Sequence, residues 1–125
     1  MTDRLINIKK ELQRIPKYRE QLKNLLDRLT EKEERADPIQ YRRYIVRQLA
    51  TFEPMENEPN LAILRETLSD REQRYDRLVD AYSKEYGPVQ ELEDEIYQTQ
   101  DDIIAFASKY LNTLAQEENE HRRQM

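Results

Sequence analysis

Through "LINIKKELQRIPKYREQLKNLL", residues 5–26, and on to Leu29, apolar side chains return at alternating steps of three and four. With Leu5 at heptad position a, the a and d positions are Leu5, Ile8, Leu12, Ile15, Arg19, Leu22, Leu26 and Leu29, and only Arg19 among them is polar. Such a repeat lays one apolar stripe along a helix and leaves the other faces to water. Pro16 falls inside the repeat without shifting its register. A helix restarting there would be free to change register and would want Ser, Thr, Asp or Asn ahead of the proline, where Arg14 and Ile15 stand instead. The pattern predicts one helix over residues 3–35, bent at Pro16, where the missing N–H leaves the Leu12 carbonyl without its usual donor.

"ADPIQ" marks a boundary of a different kind. Asp37 can cap, Pro38 suits the first helical position, and Gln40 can complete a capping box. A short helix over 38–52 follows, with Ile39, Ile45, Val46, Leu49 and Phe52 on a broad apolar face. "EPMENEP", residues 53–59, then reads as an acidic, proline-punctuated linker. A third helix, 60–86, repeats the heptad through Leu61, Leu64, Leu68, Arg71, Tyr75, Leu78 and Tyr82. In "YGP" the chain's one glycine, Gly87, is placed to end that helix in a left-handed conformation, and Pro88 to open the next.

The fourth helix is expected over 88–119, with Val89, Leu92, Ile96, Thr99, Ile103, Phe106, Tyr110 and, one step off the heptad, Leu114 on its seam. Residues 120–125 lack the repeat and are expected to fray. A turn at Gly87 would fold the third and fourth helices into an antiparallel hairpin, setting Leu68 against Phe106 and Arg71 near Ile103 and Thr99. Arg19 and Arg71 are then polar residues at seam positions, which either fix register or snorkel from a solvated rim. "IIAFASKYLNTLA", residues 103–115, is apolar nearly all round, so it needs two or more neighbours, one of which could be a second copy of the chain.

Composition supports long helices over other readings. Of the 125 residues, 38% are charged and 37% hydrophobic, with a single glycine and a mean hydropathy of −1.09. That polarity suits disorder as well, but disordered chains lack a sustained apolar period. The expected fold is all-α: an elongated antiparallel helical bundle of three long helices and one short, with coiled-coil-like packing, in one domain over residues 1–125. There is no cysteine, hence no disulfide and no thiolate site. "MTDRLINIKK" carries no apolar signal core, and no run approaches the roughly 18 apolar residues of a membrane span, so a cytoplasmic protein without membrane attachment is expected.

Charge refines the choice of partner. The net charge is −5, distributed as ten basic and eight acidic side chains in residues 1–37 against three and nine in residues 88–125. An acidic chain repels phosphates, which disfavours nucleic acid. The exception is "QYRRYIVRQL", residues 40–49, where Arg42, Arg43 and Arg47 lie among Tyr41 and Tyr44, with no acid anywhere in residues 38–52. This aromatic-basic mixture is the candidate partner-binding surface. The bland alternative pairs these arginines with acids of the fourth helix. Ile103, Ile104, Phe106, Tyr110, Leu111 and Leu114 are the candidate self-association residues, a dimer being favoured.

Chemistry finds little to work with. "ENEH", Glu118 to His121, matches the Glu-x-x-His of di-iron bundles, but the chain has one histidine, in the segment expected to fray. Acid pairs such as Glu91/Glu95 read as a solvated face, and no serine has a histidine placed to activate it. The sequence points to a non-catalytic helical protein-interaction module, an adaptor, assembly factor or regulator, without cofactor or metal. A nucleic-acid-associated dimer using residues 38–52 and a metal-dependent helical-bundle enzyme are the alternatives.

Overall fold

The computed structural model describes residues 2–30 and 38–124 of the chain. They form an all-α protein: α1 (Thr2–Thr30), α2 (Pro38–Ala50), a 3-10 turn (Glu53–Met55), α3 (Pro59–Ala81) and α4 (Gly87–Gln124). Helix α4 packs on both α1 and α3. The expected cap at Asp37 and the end of the first helix at 31–35 lie outside the described residues.

The chain divides into two compact units, one of α1, α2 up to Ile45 and α4 from Ala107, the other Val46–Phe106. In the first unit α1 runs as a single helix through Pro16. Its burial follows every second heptad position: Ile8, Ile15 and Leu22 are buried, and Leu12, Leu26 and Leu29 are half-buried. Ile45, Ala107 and Leu114 complete the buried apolar set among the described residues of this unit. The seam of α1 is thus real but narrow, as a stripe of one residue per heptad must be.

The second unit holds the larger set of buried apolar residues. Val46, Leu49 and Ala50 of α2, Met55 of the 3-10 turn, Leu61 and Leu68 of α3, and Val89, Ile96 and Ile103 of α4 are all buried. Helix α2 stops at Ala50, two residues short of expectation. Its end is satisfied from two sides, Thr51 Oγ1 donating to the Arg47 carbonyl at 2.8 Å and the Arg65 guanidinium of α3 to the Ala50 carbonyl at 2.8 Å. A cation there also complements the negative end of the helix.

Residues 53–59 do more than link. Backbone bonds from Met55 to Phe52, Glu56 to Glu53 and Glu58 to Met55, each 3.0 Å, close a 3-10 turn that turns Met55 fully into the core. One methionine among prolines and acids gives no period for a sequence reading to detect.

The hairpin turn differs from expectation in place and in means. Helix α3 ends at Ala81 because Tyr82 is extended (φ −134°, ψ 172°), five residues before the expected stop. Ser83–Tyr86 make the turn, the Tyr86 N–H donating to the Ser83 carbonyl at 3.1 Å, and the Tyr86 carbonyl accepts from Val89 and Gln90. Gly87 has no positive φ and opens α4 rather than closing α3. With the turn centred nearer residue 84, Arg71 meets Thr99, as expected, and also the Glu95 carbonyl one turn further toward the hairpin end. Nearer the turn, Leu78 lines one open groove together with Pro88 and Leu92, as an antiparallel pairing of α3 and α4 requires.

At its far end α4 continues through the stretch expected to fray and remains helical to Gln124. Its buried positions are Val89, Ile96, Thr99, Gln100 and Ile103 in the second unit, and Ala107, Leu114 and Glu118 in the first.

Candidate functional site

The five α2 residues singled out by sequence divide sharply. Tyr41, Arg42 and Arg43 are half-buried, and each is engaged by other groups of the chain. Tyr44 is 56% exposed. Arg47 places Nη2 3.3 Å from Oε2 of Glu72, a carboxylate that α3 holds buried. The intramolecular alternative raised from sequence therefore holds for Arg47, but its acid lies on α3 and not on α4. Glu72 sits one position beyond Arg71, off the heptad stripe.

The candidate self-association residues are drawn into the chain's own packing. Ile103 and Leu114 are buried, and Ile104, Phe106, Tyr110 and Leu111 are half-buried. The all-round apolarity of residues 103–115 is explained to that extent by neighbours within one chain.

Both seam arginines are polar cross-links between helices. In the first unit, Arg19 of α1 brings Nη1 to 2.6 Å from Oε2 of Glu118 on α4, and Arg122 brings Nη2 to 2.7 Å from Oε1. The Glu118 side chain is only 2% exposed, whereas Arg19 and Arg122 are 42% and 65% exposed. Arg122 makes a well-directed hydrogen bond, while Arg19 approaches Oε2 as a close ion pair off the hydrogen-bond line. In the second unit, Arg71 of α3 donates to the hydroxyl of Thr99 and, at 3.1 Å, to the carbonyl of Glu95. The Glu95 carboxylate stands 3.7 Å from its Nε.

These contacts settle where the Glu-x-x-His residues point. Glu118 is held by two guanidiniums, and His121 turns Nδ1 back to the Glu117 carbonyl at 2.6 Å. Among the described residues, no group of three or more His, Cys, Asp or Glu side chains is arranged to hold a metal ion. None of their helices is long and apolar enough to cross a membrane.

The surface that sequence reasoning missed lies at the α3–α4 turn. Tyr82 and Tyr86 are 53% and 42% exposed and stack with ring centroids 4.6 Å apart. Beside them an open groove of about 590 Å³ runs between the two helices, floored by Leu78, Leu92 and Pro88. Arg74 and Arg77 of α3 form one rim, and Glu91 and Glu95 of α4 the other. The heptad had placed Tyr82 on a buried seam, and only the early end of α3 releases it. In comparisons with protein-family models, curated proteins and solved structures, none matches this chain.

Proposed function

We propose that this chain is a non-catalytic helical interaction module, an adaptor, assembly factor or regulator that engages a protein partner through helix faces. The observation that carries the reading is the stacked pair Tyr82–Tyr86, exposed at a helical turn next to an open groove with an apolar floor. Two large apolar rings held against each other lose little conformational freedom on binding, and tyrosines in such settings supply much of the energy of protein interfaces. Tyr44 adds a second exposed ring on α2, but the neighbouring Arg47 already spends its charge on Glu72.

The test is affinity capture with the tagged full chain from lysate of its native host, treated with nuclease, beside a Tyr82→Ala/Tyr86→Ala variant and a Tyr44→Ala variant. A stoichiometric protein retained by the wild type and by Tyr44→Ala but lost from the double variant is the expected result. Circular dichroism should show the double variant as helical as the wild type. A captured set indifferent to the turn tyrosines, or one that disappears with nuclease, overturns the reading.

A further inference from the structure

The groove between α3 and α4 is flanked by charge of opposite sign on its two sides. Arg74 and Arg77 lie along α3, and Glu91 and Glu95 along α4, all four exposed. Because the helices are antiparallel, with Arg71 level with Thr99 and Leu78 near Leu92, Arg74 stands at about the height of Glu95 and Arg77 at about that of Glu91. The cations are only lightly engaged within the chain. Arg74 lies 3.3 Å from Asp70 one turn back, and Arg77 donates to the Gln73 carbonyl at 3.3 Å. Glu91 makes no ion pair among the described residues.

We propose that this face binds a second copy of the chain, giving a parallel, two-fold symmetric dimer; the proposal rests on the interaction-module reading above and names one partner for it. The charge layout selects the symmetry. A two-fold contact places the same patch against itself. Turned about an axis parallel to the helices, the second copy sets its α4 over the first copy's α3. Arg74 then meets Glu95 of the other copy, and Arg77 meets Glu91, in four symmetric pairs. Turned about an axis across the helices, the copies oppose α3 to α3, so arginine meets arginine and glutamate meets glutamate. Complementary charge of this kind fixes orientation more than it sets affinity. The half-buried Leu78 and Leu92 lie along the two-fold seam and become the core of a four-helix arrangement, the packing that heptad-patterned hairpins favour.

The two turns then lie side by side, which makes the orientation testable with a single cysteine, since the chain has none of its own. Sedimentation equilibrium of the purified full chain should give a dimer. Arg74→Glu/Arg77→Glu should weaken it by at least about 100-fold, and so should Glu91→Arg/Glu95→Arg, while an equimolar mixture of the two variants should restore it as a heterodimer. Glu91→Arg alone is the companion to the second variant, because it leaves the Glu95–Arg71 contact intact and still places like charges together. A Ser83→Cys variant should oxidise to a covalent dimer at the turn. A monomeric wild type overturns the second copy as occupant while leaving the capture of a different protein open to the experiment above. A dimer indifferent to both charge reversals, or one in which Ser83→Cys does not cross-link, overturns this surface or this orientation.

Discussion

Arg19 and Arg71 occupy the same kind of position in sequence, a polar residue in an otherwise apolar heptad stripe, and the two units use them differently. In the first unit Arg19 reaches a carboxylate that the fold has removed from water, Glu118, whose other oxygen is held by Arg122. In the second unit Arg71, 31% exposed, reaches a hydroxyl and a helix carbonyl that already have partners. Thr99 Oγ1 itself donates to the Glu95 carbonyl at 2.9 Å, so neither group depends on the arginine for satisfaction. One arginine neutralises a buried charge. The other decorates groups that are content without it. The cost of deleting a polar cross-link follows from what is left behind, more than from how many contacts it made.

The largest expected effect breaks the first cross-link from its exposed side. Arg19→Met leaves the Glu118 carboxylate buried with Arg122 alone and should cost about 2 kcal/mol in urea unfolding. Glu118→Leu should change stability by less than about 1 kcal/mol, because the exposed guanidiniums return to water and a side chain of similar volume fills the site. Placed in that background, Arg19→Met should lose most of its cost. If the two substitutions are simply additive, the arginine acts by packing and not by charge.

The second cross-link should yield less. Arg71→Leu is expected to shift stability by under about 1 kcal/mol, since the lost hydrogen bonds leave no orphaned group and the leucine adds apolar contact along the seam. A loss as large as that of Arg19→Met would mean that the hairpin depends on Arg71 for its register. The smallest effect belongs to the turn. Gly87 has an ordinary φ, and a Cβ placed on it meets nothing within 4 Å. Gly87→Ala should therefore raise stability by about half a kcal/mol through the unfolded chain, readable as a higher unfolding midpoint. A clear loss would restore the left-handed role that the sequence suggests for this glycine.

Much of the fold was legible because periodicity reports helices directly. The heptads placed four helices in order, carried α1 through Pro16, and found Ile8, Ile15, Leu22, Leu61, Leu68, Val89, Ile96 and Ile103, all of them buried. The proposed interaction surface was legible only in part. Tyr82 looks like a seam residue until α3 ends beneath it, and Met55 is lost among the prolines and acids of a linker. Glu118 was the hardest to read, since an acid among acids near a chain end looks solvated whether or not a helix carries it into contact with Arg19.

What the sequence determined by itself was therefore the local and the periodic: helix type, order, the apolar stripes, and the presence of two arginines where apolar residues belong. A helix's own side-chain spacing dictates these, and a single chain segment contains all the information they require. What only the tertiary structure decided was pairing. The site of the turn, the partner of each arginine and the burial of Glu72 and Glu118 depend on which residues of distant segments come level with one another. That register is set by the packing of whole helices, and no local pattern records it.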